Sequence, residues 1–309
     1  MTSGVLPMRT ICRVLLSGST AALTLLGGDP SAEAQGGGPA DLPAVTVRGQ
    51  TYTPRSILAR NMGSDADQTT AFPPHRVAGN VYYVGTRTLS SFLITTPAGH
   101  ILINTTYERN VRTIEKSVMQ LGFKFADVRI VLGTHAHGDH QEGDALAKEL
   151  TGAQVMAMAE DVPALVAIQP GGKPHPIDRR LTDGESVTLG GATLVAHLTP
   201  GHTRGCTTWT TRVQEGGRDL DVVFACSYRA PAPVTPAIES EFNRTFAIIR
   251  QLPCDVPLGD HPAQYRMAEK HARLKPDAAN PFVDPGGCWL EAEIQEAMLR
   301  AQLKLQKGA

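Results

Sequence analysis

The sequence carries almost no excess of either charge: 29 Lys and Arg stand against 30 Asp and Glu, a net charge of −1 over 309 residues. A protein that grips nucleic acid through its phosphates needs a basic surface. Neither a basic run nor a patch of basic and aromatic residues is present, and aromatics make up only 5% of the chain. Long apolar stretches are also missing. The small, mostly apolar run over residues 14–26 is too short to span a bilayer. Arg9 and Arg13 lead into it and Ala32-Glu33-Ala34 offers a small-x-small cleavage site, so residues 1–34 read as an export signal and the mature chain as periplasmic or secreted. Cys12 precedes the run, and no cysteine just after it could take a lipid. Of five cysteines, four remain after cleavage, in a compartment where disulfides are allowed.

What the chain does have is a cluster of metal-binding side chains. His135-Ala136-His137-Gly138-Asp139-His140 follows the apolar run Ile130-Val131-Leu132 and places four of them within six residues. On extended backbone, residues i and i+2 share a face, so His135 and His137 can grip one ion while the chain turns and delivers Asp139 and His140 to a second. Imidazoles plus one carboxylate suit zinc better than the all-oxygen shells of magnesium or calcium. Four donors cannot complete two sites, and two further histidines end strand-like runs downstream: His202 in Thr199-Pro200-Gly201-His202, and His261 after Val256-Pro257-Leu258-Gly259-Asp260. The expected sets are His135, His137 and His202 for one zinc, and Asp139, His140 and His261 for the other. Each leaves a position open, the pattern of a catalytic zinc. His75, His100, His175, His197 and His271 lie outside these motifs and read as ordinary core or surface residues.

Residues 35–74, rich in Gly, Pro, Ser and Asp, read as a leader arm before a domain over 75–309. Strands are expected over 81–84, 92–95 and 101–104, then a helix with Val111, Ile114, Val118 and Leu121 on one face, the strand ending in the metal motif, and a helix over 143–150. A second cycle has strands over 186–189, 192–197, 206–213 and 221–226, then helices over 238–252, 263–274 and 289–306. If Glu215-Gly216-Gly217-Arg218 turns a hairpin, Cys206 and Cys226 face each other across adjacent strands. Two buried thiols are expected there in preference to a strained cross-strand disulfide.

Taken together these residues resemble the metallo-β-lactamase superfamily, whose HxHxDH motif stands here as His135 to His140. The stretches Asn80-Val81-Tyr82-Tyr83-Val84-Gly85-Thr86, Pro200-Gly201-His202-Thr203-Arg204-Gly205, Leu252-Pro253-Cys254-Asp255 and Asn280-Pro281-Phe282-Val283-Asp284-Pro285 are similar to subclass B3. The resemblance implies an αβ/βα sandwich of two mixed sheets flanked by helices, and a link between Cys254 and Cys288. It also implies a monomer that opens the ring of small-molecule β-lactams by attack of a hydroxide held between two zincs and oriented by Asp139. Glyoxalase-like and lactonase-like members carry a bridging Asp where this chain has Ser227, which reads as a contact to substrate or metal-bound water, or as a hydroxyl on its own backbone.

The chain also departs from the family pattern. Gly138 replaces a larger residue, and the loop from Arg229 to Glu239 is short. Glu142 adds a carboxylate that could partner a ligand imidazole or cap the next helix. Arg229 could bind the substrate carboxylate or face solvent.

Overall fold

The computed structural model describes Met1 and residues 44–308; the expected export signal, Cys12 and the first part of the leader arm lie outside the described residues. From residue 44 onward the chain falls within one compact unit, Gly36–Ala309. It begins with a hairpin of β1 (Val45–Val47) and β2 (Gln50–Tyr52), followed by helices α1 (Pro54–Met62) and α2 (Asp65–Thr69). Both helices start on a reciprocal capping box, Thr53 with Ser56 and Ser64 with Asp67.

A seven-stranded sheet then forms from β3 (His75–Ala78), β4 (Val81–Tyr83), β5 (Phe92–Thr96), β6 (Gly99–Ile103), β7 (Val128–Leu132), β8 (Gln154–Met158) and β9 (Arg179–Leu181), side by side in that order. The first pairs are antiparallel; from β6 to β9 they are parallel. Parallel neighbours need crossovers, here supplied by α3 (Val111–Gln120), by α4 (Gly138–Gln141) with α5 (Asp144–Thr151), and by α6 (Val162–Leu165).

The second sheet is β10 (Ser186–Leu189), β11 (Ala192–Leu198), β12 (Thr207–Glu215), β13 (Arg218–Ala225) and β14 (Val256–Gly259), with only the β13–β14 pair parallel. Helix α7 (Pro236–Ile249) makes that crossover, and α8 (Met267–Ala272) and α9 (Leu290–Gly308) follow.

Alternation along each strand decides what it buries. Ile101 and Ile103 of β6 and Ile130 and Leu132 of β7 point inward, where they meet Trp209, Val222, Phe224 and Leu258 of the second sheet. Leu102 and Val131 point the other way, onto Val111, Ile114 and Val118 of α3 and Ala147 of α5. Helix α7 covers the outer side with Phe242, Phe246 and Ile249, joined by Leu299 and Leu303 of α9. The layers are therefore helix, sheet, sheet, helix, the expected αβ/βα sandwich. Fully buried strands of this kind read in sequence as near-continuous apolar runs.

The arm is folded from residue 45. Tyr52 and Ile57 pack with Ile294 and Met298 of α9, and Arg48 forms a two-pronged ion pair with Glu293 at 2.8 Å. Among the described residues no helix is long and apolar enough to cross a membrane.

Candidate metal centre

The six expected donors meet where loops from both sheets converge. Asn104, just past β6, accepts from the Thr134 backbone N–H (3.0 Å) and hydroxyl (3.1 Å), while the Trp209 indole of β12 donates to Gly133 O at 3.0 Å. Both contacts fix the backbone just before His135. At Gly133 a Cβ would sit 1.8 Å from the Gln141 side chain, which would have to move aside. The loop then enters α4, which presents Asp139 and His140, with His137 at its N-cap. His202 arrives in the turn between β11 and β12, and His261 directly after β14.

Two donor groups result that share no residue: His135, His137 and His202, and Asp139, His140 and His261, the donor atoms of each lying within 4.8 Å of one another. In the first, His135 Nε2 stands 3.1 Å from His137 Nδ1, and the His202 ring centre is 4.7 Å and 4.8 Å from the other two. In the second, Asp139 Oδ2 lies 3.3 Å from His140 Nε2 and 3.9 Å from His261 Nε2. His135, Asp139, His140 and His261 are buried, whereas His137 and His202 are half-buried. Two further groups, His135 with Cys206 and Cys226, and His135 with His140 and Asp260, reuse His135. The first of these offers no thiolate, since its sulfurs are bonded to each other.

The outer nitrogens are held by acceptors: His202 Nδ1 donates to Arg229 O (2.7 Å) and His261 Nδ1 to Thr88 O (3.0 Å). A proton on each Nδ1 leaves the Nε2 lone pair aimed into the cluster. Burial pushes His135 down to about 3, and lowers His137, His202 and His261 as well. These four imidazoles are therefore neutral at pH 7, the form that binds metal. Burial opposes charge on His140 and Asp139 too, but each raises the charge of the other: His140 ends above its usual range and Asp139 well below. Three neutral imidazoles that converge, with His135 Nε2 and His137 Nδ1 only 3.1 Å apart, and an ionised, buried carboxylate beside a second such group form the donor chemistry that a soft-to-borderline cation takes. The donors present fit two zinc ions, three protein ligands each.

Asp161, which carries no signal in the sequence, joins the two loops of the first group. Its Oδ2 accepts from Ala136 N (2.9 Å) and the Thr203 hydroxyl (2.8 Å), and its Oδ1 from Gly205 N (2.6 Å). A Cβ at position 205 would come within 2.4 Å of Asp161 N, so only glycine lets the chains approach.

Ser227 is buried just past β13. Arg229 is half-buried, and its carbonyl accepts from His202 Nδ1. Glu142 accepts from Glu108 N at 3.4 Å, at the start of the short turn Glu108–Asn110. The remaining histidines are engaged elsewhere: His197 with the Thr210 hydroxyl, His175 with Asp144, and His75 among Phe72, Tyr83 and Phe282.

The expectation of two thiols at Cys206 and Cys226 is corrected: they form a disulfide, with Cα atoms 5.9 Å apart. Trp209 faces Phe224, one residue off the expected register, and the cysteines lie just beyond the paired ends Thr207 and Ala225. There the pleat no longer fixes their Cα–Cβ directions. Cys254 and Cys288 are also bonded.

A sandwich of this topology with His and Asp donors at its strand-end loops defines a class of metal-dependent hydrolases. The family model "Metallo-beta-lactamase superfamily" matches residues 84–215. Among solved structures, the chain is similar to the native FEZ-1 metallo-β-lactamase of Legionella gormanii, at 39% identity over 77% of this chain and 97% of that one, with a TM-score of 0.71. It is likewise similar to BJP-1, a subclass B3 metallo-β-lactamase of Bradyrhizobium japonicum (35%; 78% and 95%; 0.68). A hydroxyacylglutathione hydrolase of Hyphomonas neptunium is 37% identical over 95 residues, 31% of this chain and 34% of that protein. The chain thus spans only about a quarter to a third of the curated relatives it matches, 26% and 34%. The chain belongs to the metallo-β-lactamase superfamily, with subclass B3 enzymes as structural neighbours.

Proposed function

We propose that the protein is a zinc-dependent β-lactamase of the B3 type, exported to the periplasm. The observation that carries the substrate class is the end of β13, where Ser227 stands in place of a carboxylate and the surrounding chain is similar to B3 enzymes over nearly their whole length. Two disulfides support export, because such bonds persist in oxidising compartments.

In this reading His135, His137 and His202 hold one zinc, and Asp139, His140 and His261 the other. When bound, zinc supplies Lewis acidity: it brings the ionisation of a water towards neutral pH and polarises a carbonyl. Asp139, kept ionised by His140 and its neighbours, would accept a hydrogen bond from that water and orient it. His202 and His261, locked by the Arg229 and Thr88 carbonyls, cannot rotate away from their donor positions. Ser227 and Arg229 leave β13 beside His202 and offer a hydroxyl and a guanidinium to the carboxylate that β-lactams carry near the ring nitrogen.

A thioester hydrolase is the second reading, favoured by the local similarity to hydroxyacylglutathione hydrolases. The deciding experiment offers a penicillin, a cephalosporin, a carbapenem, a lactone and a glutathione thioester to the zinc-loaded protein. Turnover of the β-lactams well above that of the lactone and thioester is expected; the reverse order would assign the second reading.

A further inference from the structure

Asp260 immediately precedes a donor histidine, yet it belongs to neither three-residue set. Its carboxylate is wholly buried; Oδ2 lies 3.2 Å from His135 Nδ1, and Oδ1 accepts from Asn104 Nδ2 at 3.4 Å. His135 and the Thr134 side chain are the other hydrogen-bonding neighbours of this carboxylate. One ring nitrogen each of His135 and His140 and one oxygen of Asp260 all fall within 4.8 Å. The backbone holds the residue there, since Ser90 N donates to Asp260 O at 2.9 Å.

Burying a carboxylate is costly unless charge or hydrogen bonds compensate it. Here His140, His135 and the Thr134 side chain offset the burial and hold the carboxyl well below its usual range, with the Asn104 amide at 3.4 Å adding little. Further positive charge would come from the far side of the imidazoles, where the cations of the two donor sets would sit. His135 is placed to relay it: its Nε2 faces His137 at 3.1 Å while its Nδ1 faces Asp260.

We propose that Asp260 is a positioning residue common to both metal sites. Its carboxylate keeps the proton of His135 on Nδ1, which leaves Nε2 as the ligand of the first site, and its charge stabilises the second site through His140. The inference rests on the two-zinc reading above and extends it: Asp139 serves the second site alone, whereas Asp260 sets the affinity of both.

The test uses the full mature chain. Metal-free protein is titrated with zinc against a chromophoric chelator, as wild type and as Asp260→Asn, which keeps the shape and removes the charge. Both affinities are expected to fall by about 10–100-fold, the usual effect of losing an outer partner of a ligand. Unchanged affinities, or a loss confined to one site, would overturn the proposal. Nitrogen-15 spectra of the imidazoles in metal-free wild type give a second readout that a merely structural role would not move. His135 is expected as the Nδ1–H tautomer, and a dominant Nε2–H form would overturn the proposal even if Asp260→Asn fails to fold. A wild type that binds fewer than two zincs would instead sink the two-zinc reading, while the tautomer measurement would still test the link from Asp260 to His135.

Discussion

Replacing Asp161 by alanine would cut the connection between the loop that carries His137 and the turn that carries His202. Three donors converge on this carboxylate, two of them the backbone N–H groups of Ala136 and Gly205, which are both buried. Each backbone group left without an acceptor costs about 1–3 kcal/mol, so the pair costs roughly 2–6 kcal/mol. The Thr203 hydroxyl is only half-buried and can turn to water, adding little. For a domain of this size each kcal/mol moves the melting temperature by roughly 2–4 °C, so a fall of ~10 °C is expected. The loss should be measured by circular dichroism on metal-free protein, so that weakened zinc binding does not enter. Zinc titration should then show the first site weakened and the second nearly intact, because Asp139, His140 and His261 make no contact with Asp161 in the bonds described. Asp161→Asn should fall in between, since its amide turns a donor towards one of the same N–H groups. A melting temperature within about 2 °C of wild type, or equal weakening of both sites, would refute the reasoning.

Elemental analysis of zinc-saturated protein should give two zincs per chain, and Asp139→Asn should remain folded with about one; its turnover should drop at least ~100-fold, as expected for losing a ligand that also orients the attacking water. Equal turnover in that variant would remove Asp139 from the mechanism. His75 offers a pH test away from the metals. Burial holds it down to about 4 against an ordinary 6.5, so the unfolded chain takes up a proton first as pH falls. The stability tied to its neutral form is complete above pH 6.5, declines between 6.5 and about 4 by up to ~3 kcal/mol, and is constant below. Urea unfolding of His75→Asn at pH 7 and 4.5 should show less loss on acidification than wild type, and parallel losses would contradict the assignment. For Arg229→Ala, KM for several β-lactams should rise roughly 10-fold with kcat little changed, since a charged hydrogen bond of that strength is held in ground and transition states alike. Identical kinetics would place the guanidinium away from substrate.

The donor set was legible because its chemistry is local: four residues of the motif are consecutive or nearly so, and His202 and His261 end strands whose apolar runs mark them. The central strands were legible for the same reason, as with Ile101 to Ile103, buried on both faces. Short elements were not. The hairpin Val45–Tyr52 shows no strong pattern, because Tyr52 and Ile57 find their apolar partners on a helix at the other end of the chain. Asp161 and Asp260 escaped notice because their partners are distant in sequence: Ala136 and Gly205 for one, His135 and Asn104 for the other. Asp260 did carry a signal, an acidic residue directly beside a donor histidine. The Cys206–Cys226 bond turned on a single residue of register, which a count across a Gly-Gly turn cannot resolve.

The six donors are split unevenly between the two sheets: the loop after β7 supplies four, and the second sheet supplies one from the turn after β11 and one after β14. Ions held there would act as rivets between the halves, beside the apolar core and bonds such as those of Trp209 to Gly133 and of Gly205 to Asp161, and anything that binds only the folded state raises the population of that state. Zinc scarcity would then strike such an enzyme on two clocks. Catalysis would stop as soon as the ions leave, while the chain itself would vanish more slowly, as proteases find the two sheets parted more often than before.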